Sequence, residues 1–378
     1  MYINFWYPIC TSEELTTTEP FPSQVLGLRF VAFRDADGEA HVLSDTCVHR
    51  GGSLSKGKLI DGCIACPYHG WRYAGDGRCA LVPSLEAGTK PPARAKVDSY
   101  PVQEKYGIVF AFLGDLAEEE RPPLYEIEEY EDPAWRANEL IMLDIGCFYE
   151  RSMENGVDHI HNEFVHPIQG SPQPIPGSIE FPATTWGSGV IGKYTEKGTK
   201  RTDGDGMRSD PVTLNAGTWH HGPNILITWI TFAKDTSLHQ YLFEAPVDSD
   251  HTKIYFVNLR SFRLDPKHDD RIREANLRVT VEDIVILENL YPVRTPETRT
   301  REILTPGDQA VVRYRDFLED WNARGWRLDF KAMGQNHGDV AYAIPSPERR
   351  NSGNWVLDPV LLKPGVPKSI GSVTSAAQ

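Results

Sequence analysis

The chain of 378 residues holds only six cysteines, no excess of basic charge and no long apolar run. Each shortage excludes a class of function. Six cysteines over this length are too few for a disulfide scaffold, so clustered thiols point to metal or redox chemistry in a reducing compartment. Lys and Arg number 39 against 53 Asp and Glu, a net charge of −14, which argues against a protein that grips phosphate backbones; no nucleic-acid partner is expected. No stretch approaches the roughly eighteen uninterrupted apolar residues of a membrane span. The opening MYINFWYPICTSEEL lacks a basic segment followed by an apolar core, so a cytoplasmic protein with no membrane contact is expected. No G-x-G-x-x-G stands between a strand and a helix, so electrons for any redox chemistry must be borrowed.

What is present is an ordinary globular composition, 40% hydrophobic and 24% charged, long enough for two domains or one large one. The first hundred residues read as short strands joined by turns: QVLGLRFVAF, the hairpin signal Asp37-Gly38, AHVLSD, WRY, the turn Gly75-Asp76-Gly77, CALV and IVFAFLGD. This is a small all-β domain over residues 1–117. An acidic connector with Pro122, Pro123 and Pro133 spans 118–134 and reads as solvated surface. Residues 135–360 form an α+β domain. Strand-like runs at 224–233, 238–246 and 252–261 suggest an antiparallel sheet covered on one face. A helix over 269–290 carries Ile272, Val279, Ile286, Leu287 and Leu290, and another opens at Thr305-Pro306 with Val311, Tyr314, Leu318 and Trp321 inward. The loop 195–208 reads as mobile, and 361–378 as a flexible tail.

Four cysteines lie between positions 47 and 79. Cys47-x-His49 and Cys66-x-x-His69, within CVHRGG and CPYHGW, deliver one thiolate and one imidazole from each of two tight loops. That set suits a two-iron cluster in which sulfur holds one iron and histidine the other. Gly51, Gly52 and Gly70 let the backbone pass close to it. Zinc is the competitor, through Cys63, Cys66 and His69 with Cys79 or Cys47, and a dithiol pair at Cys63 and Cys66 is another. Neither uses Cys47 and His49 together. In these two boxes the sequence resembles the Rieske family, and the remaining cysteines, Cys10, Cys63, Cys79 and Cys147, default to small buried hydrophobes.

A second constellation runs from Glu154 to Pro167. On one helix Asp158 and His161 share a face, whereas His166 must follow the helix end, which Pro167 favours. His159 points away. Two neutral histidines need a carboxylate to complete a triad for non-haem Fe(II), and Asp283, an acid set in the apolar stripe of helix 269–290, is the candidate. Glu282 reads as a solvated partner of Arg278 at i−4, and Glu288 lies on the other side of the helix. Asn155, one turn before Asp158, could hydrogen-bond near the iron.

The two constellations together resemble the oxygenase component of Rieske non-haem iron oxygenases, over roughly residues 5–325. The resemblance implies a helix-grip sheet with a cavity over the iron, a homotrimer, and Asp158 bridging His161 to His69 of a neighbouring subunit. It also implies a separate NAD(P)H-dependent reductase or ferredoxin. In length the chain is similar to vanillate demethylase-type oxygenases, so the expected activity is O2-dependent monooxygenation, demethylating or hydroxylating an aromatic or other cyclic small molecule. Ring cis-dihydroxylation is the alternative, and an electron-transfer or redox-sensing protein without mononuclear iron is another. Cavity candidates are Trp219, Trp229, Phe232, Tyr241, Phe243 and Phe256, with His220, His221, Asn224, His239 or Arg260 as polar anchors.

Overall fold

The computed structural model describes residues 1–166, 172–195, 202–203, 206–207 and 213–365. In the N-terminal region, β1 (Phe5–Thr11), β10 (Val102–Lys105) and β11 (Ile108–Leu113) form one sheet in the order β1-β11-β10. A second sheet, β2-β3-β4-β9, comprises Phe21–Val25, Leu28–Arg34, Ala40–Ser44 and Ser99–Tyr100. A third, β5-β6-β7-β8, comprises Lys58–Ile60, Cys63–Ala65, Arg72–Tyr73 and Cys79–Leu81. The expected single strand QVLGLRFVAF is instead a hairpin. Leu26 and Gly27 turn it with φ of 55° and 73°, the left-handed region where glycine costs nothing, and Val25 pairs with Leu28.

The C-terminal region is built on an antiparallel sheet, β12 (Arg136–Ala137), β21 (Thr252–Arg260), β20 (Thr236–Pro246), β19 (Ile225–Ala233), β18 (Thr213–His221), β15 (Gly189–Thr195) and β14 (Gln173–Pro174), with β13 (Ile141–Ile145) also on β21. The short pair β16 (Thr202–Asp203) and β17 (Gly206–Met207) stands apart; the rest of the expected mobile loop lies outside the described residues. The helices that pack around this sheet are α1 (Tyr149–Val157), α3 (Asp269–Leu287) and α4 (Gln309–Ala323), with the single turn α2 (Asn162–Val165) after α1.

This sheet is covered on both faces, not one. In antiparallel pairs, directly opposed residues share a face, so Thr218, Thr228, Gln240 and Asn258 line one side. Helix α1 lies over that side: Thr218 Oγ1 donates to Gly156 O at 2.6 Å, and a Cβ on Gly156 would stand 2.0 Å from Leu226. The opposite side carries Tyr241, Phe243, Val257 and Leu259 into one core with Tyr7, Phe110 and Phe112 of the N-terminal sheet. Phe243 meets Phe110 edge-on at 5.0 Å.

Helix α3 departs from the expected stripe. Val281, Val285 and Ile286 are exposed, and only Asn276 and Leu287 are fully buried. Beside a polar line of Asn276, Thr280 and Asp283, Leu277, Ile284 and Leu290 pack with Leu287 into the cluster of Ile141, Ile145 and Phe256, so of the expected stripe Leu287 and Leu290 hold and Ile286 does not. The acidic connector is likewise more than solvated surface. Leu124 and Ile127 are buried, and Glu129 accepts from His239 and Tyr241. The expected tail 361–378 is fixed at its start, where Asp329 N donates to Leu361 O and Lys363 N to Arg327 O; residues 366–378 lie outside the described residues. Before that, the chain returns to the N-terminal region. Asp98, fully buried, accepts from Ser346 N and Oγ and from Arg349 Nε and the guanidinium tip at 2.7–3.0 Å. No helix among the described residues is long and apolar enough to cross a membrane.

Candidate metal centres

Cys47 and Cys66 open two loops of the same build. Gly51 N donates to Cys47 O, and Gly70 N to Cys66 O, both at 2.9 Å, and Gly51 and Gly70 take φ of 72° and 69°. Each loop thereby turns back within four residues and presents one cysteine and one histidine. A Cβ on Gly52 would fall 2.8 Å from Cys66 Sγ, so glycine is required by close approach. Both thiols are buried, whereas His49 and His69 are exposed, their rings 4.5 Å apart. His49 stacks on Trp71 at 4.6 Å and 4°, and Tyr73 Oη stands 3.2 Å from Cys47 Sγ. A sulfur pair beneath and an imidazole pair above is the donor set that a Cys2His2 two-iron cluster requires. Zinc finds no such set: among the described residues no group of three metal-ligating side chains includes Cys63. Burial pushes the Cys79 thiol up to about 11 and the Cys10 thiol up to about 12, so both stay protonated hydrophobes.

The second centre forms where α1 ends. The expectation of Asp158 and His161 on one continuous helix does not hold, because α1 stops at Val157 and Asp158 is extended, with ψ of 120°. Asp158 Oδ1 instead accepts from Ile160 N at 2.8 Å, an Asx turn that redirects the chain. His161 then begins the single turn α2, and His166 leaves it with ψ of 64°; Pro167 lies outside the described residues. His161 Nε2 and His166 Nε2 stand 3.5 and 3.3 Å from Asp283 Oδ1, and one ligand atom from each of the three residues falls within 4.8 Å of the others. Two imidazole nitrogens and a carboxylate oxygen are the donors of an Fe(II) facial triad, and the residues present fit that ion. Burial works to raise the Asp283 carboxyl, but His161 and His166 outweigh it and hold it well below the usual carboxylate range.

The surroundings orient these donors. Asn155 Nδ2 donates to Asp283 Oδ1 at 3.0 Å. Glu282 takes the role its sequence position hid: its Oε2 stands 3.0 Å from His166 Nδ1, while Arg278 pairs with Glu274. The expected bond between Asp158 and His161 is not closed within one chain. Asp158 Oδ2 lies 3.9 Å from His161 Nδ1, and that nitrogen is buried with no hydrogen-bond partner. His159 is buried against Phe181 and Tyr194, and Glu288 accepts from Gly146 N.

Most of the expected aromatic lining faces elsewhere. Trp219, Trp229, Tyr241 and Phe243 take the sheet side opposite α1, by register with Ile225 and Ile227. Phe232 pairs with Phe262, and Phe256, on the α1 side, packs in a cluster with Leu287. Of the polar candidates, His220 is enclosed by Ser188, Tyr314 and Phe317. Asn224 holds Trp6 O and Glu244 O, His221 meets Pro123 O and His239 meets Glu129. Arg260 pairs with Asp269.

Two family models match: the Rieske [2Fe-2S] domain over residues 5–101 and the vanillate O-demethylase oxygenase C-terminal domain over 145–324. Tert-butanol monooxygenase / tert-amyl alcohol desaturase oxygenase subunit of Aquincola tertiaricarbonis is 34% identical over 323 residues, 82% of this chain and 65% of that protein. Chloroplastic chlorophyllide a oxygenase of Chlamydomonas reinhardtii is 28% identical over 333 residues, 86% of this chain and 49% of that protein. The chain thus spans about half to two thirds of the length of these relatives. Dicamba monooxygenase bound to 3,6-dichlorosalicylic acid superposes with a TM-score of 0.71 at 22% identity, covering 84% of this chain and 96% of that one, a likeness of fold.

Proposed function

The chain belongs to the Rieske non-haem iron oxygenases, and from that premise we propose that it is the oxygenase component of a monooxygenase that demethylates or hydroxylates an aromatic or other cyclic small molecule with O2. The observation that carries the reading is the convergence of His161, His166 and Asp283 on one point in a chain that also presents two thiols and two imidazoles from paired loops. A pure electron carrier has no use for the first set. Cys47, Cys66, His49 and His69 hold the [2Fe-2S] cluster over residues 1–117; His161, His166 and Asp283 hold Fe(II) within 135–360. When bound, the cluster supplies electrons one at a time and the Fe(II) site binds and activates O2.

The chain's own residues prepare that chemistry. Glu282 accepts the Nδ1 proton of His166 and leaves Nε2 free to ligate, which fixes tautomer and ring angle. Asn155 donates to Asp283 and limits the rotation of its carboxylate. Asp158 keeps a carboxylate oxygen near His161 Nδ1, and His49 and His69 are exposed. We assign Asp158 as the link between His161 and His69 of an adjoining subunit in a homotrimer; the exposure of Tyr68 and Phe164, 56% and 76%, supports apolar cover for both centres there. Electrons come from a separate NAD(P)H-dependent reductase or ferredoxin, in the cytoplasm.

The test is iron and acid-labile sulfide per chain on anaerobically purified protein, with EPR after dithionite. Three irons and two sulfides, with formaldehyde released from an aryl methyl ether, support the proposal. Two irons that never become three on reconstitution refute it, and two atoms from one 18O2 in a ring product turn it into a dihydroxylase.

A further inference from the structure

Between the sheet and α3 lies a group of amides that the metal chemistry does not use. Gln240 and Asn258 are cross-strand neighbours on the side of the sheet that α1 covers. Gln240 Nε2 donates to Asn276 Oδ1 at 3.2 Å, Asn258 Nδ2 to His239 O at 3.2 Å, and Asn138 N to Asn258 O at 2.9 Å. Asn138, Asn258 and Asn276 are 7%, 0% and 5% exposed. Yet Asn138 Nδ2, Asn258 Oδ1 and Asn276 Nδ2 are buried with no hydrogen-bond partner, as is Arg273 Nε one turn before Asn276. The fully buried cation of the group, Arg260, is already paired with Asp269. Leaving a buried polar atom unpaired costs about 1–3 kcal/mol, and an occupant that met these three amide atoms and the guanidinium nitrogen would remove that cost.

The helix sets where that occupant ends. Asn276 and Asp283 are seven residues apart on α3, two turns, so they share a face about 10 Å apart along the axis. We propose that Asn138, Asn258 and Asn276, with Arg273, form a distal subsite of the substrate site. It takes a carbonyl or carboxylate oxygen of the substrate while the carbon to be oxidised lies about 10 Å away, at Asp283. Three of the open atoms are donors and one is an acceptor, so the obligatory element is an acceptor oxygen. This rests on the monooxygenase reading and adds to it a substrate class: elongated molecules with an oxygen function at the end remote from the reacting carbon.

The test uses the full-length, metal-loaded protein and three rigid probes that differ only at the remote end: 4-acetyl-4′-methoxybiphenyl, 4′-methoxybiphenyl-4-carboxylate and 4-ethyl-4′-methoxybiphenyl. Affinity is measured anaerobically by calorimetry, and formaldehyde release separately. At least one oxygenated probe should bind about tenfold or more tightly than the ethyl probe, the loss expected when buried polar atoms stay unpaired. The acetyl probe leading identifies a neutral carbonyl and the carboxylate leading an anion; Arg273→Met should weaken only the second. Asn276→Leu should cancel the preference; it also takes away the acceptor of Gln240 Nε2, so its folding is checked by melting and the loss is read as the ratio of oxygenated-probe to ethyl-probe affinity, which a merely structural amide would leave unchanged. Equal affinity for all three probes, binding of none, or a preference that survives Asn276→Leu overturns the subsite. Formaldehyde from all three with no preference would spare the monooxygenase reading; a clear preference without formaldehyde, electrons being supplied, would spare the subsite and count against that reading.

Discussion

Replacing Glu282 by leucine isolates the work of a residue that ligates nothing. Its Oε2 is 3.0 Å from His166 Nδ1, and its side chain is only 20% exposed, so water cannot fully replace the lost acceptor. Outer partners of metal-binding histidines are worth about 10–100-fold in metal affinity, equivalent to about 1.4–2.8 kcal/mol. Glu282→Leu should weaken Fe(II) binding within that range, and Glu282→Gln, which keeps an acceptor oxygen without the charge, should fall between the two. The assay is an anaerobic Fe(II) titration against a competing chelator, with the visible absorbance of the [2Fe-2S] cluster as an internal control. It should be run at pH 8. Burial lowers the proton affinity of His166, but Asp283 and Glu282 outweigh it and raise that affinity in the metal-free chain, and protons compete with Fe(II) for the same nitrogen at lower pH. An unchanged Fe(II) affinity in Glu282→Leu would refute the idea that this carboxylate sets the ligand.

Three further outcomes are expected elsewhere in the molecule. Asp158→Ala should leave iron and sulfide content intact and slow turnover severely, at least tenfold; near-normal steady-state turnover removes Asp158 from the link between the centres. Asp98→Ala leaves the Arg349 guanidinium without its buried partner and should destabilise the chain by about 3–5 kcal/mol, read as a lowered urea midpoint; an unshifted midpoint means that residues 344–350 are not held by this contact. Burial raises the Glu244 carboxyl to about 8, against a hydrogen bond from Ser152. The folded state therefore binds this proton more tightly than the unfolded chain does, and stability falls as pH rises from the ordinary glutamate range toward 8. Glu244→Gln should melt progressively higher than the parent between pH 5 and pH 8.5; a constant difference would show that Glu244 does not carry this dependence.

How far the sequence can be read depends on how local each signal is. The Cys47/His49 and Cys66/His69 boxes are short loops whose geometry is contained in their own residues, and the grouping of His161, His166 and Asp283 needs only a helix position and a chemical requirement. The apolar stripe expected around Asp283 is only partly there: Leu287 and Leu290 pack inward beside Leu277 and Ile284, whereas Ile286 is exposed and Asn276 and Asp283 give the helix a polar line as well. Strand β1 is hard to see in the sequence because its partner β11 lies about a hundred residues away. Glu282 is hidden because a neighbour at i−4 looks sufficient, whereas its partner comes from another element. Asn258 and Asn276 carry no motif at all. Their meaning arises only when the register of β20 and β21 puts Gln240 beside Asn258 and α3 lays Asn276 above both. The aromatic candidates fail for the same reason, since alternation along a strand separates two faces without saying which one the helices cover.

The continuous core between the N-terminal sheet and the outer face of the large sheet bears on how such chains can be recombined. Tyr106 and Phe110 both pack directly on Phe243, so a cut in the connector would divide a hydrophobic interior and leave aromatic surface on both pieces. A hybrid that grafts the iron-sulfur half of a relative onto this catalytic half must therefore import the matching outer residues of β20 and β21 as well. The transferable module is larger than either half, and laboratory shuffling that respects only the connector should yield mostly insoluble chains.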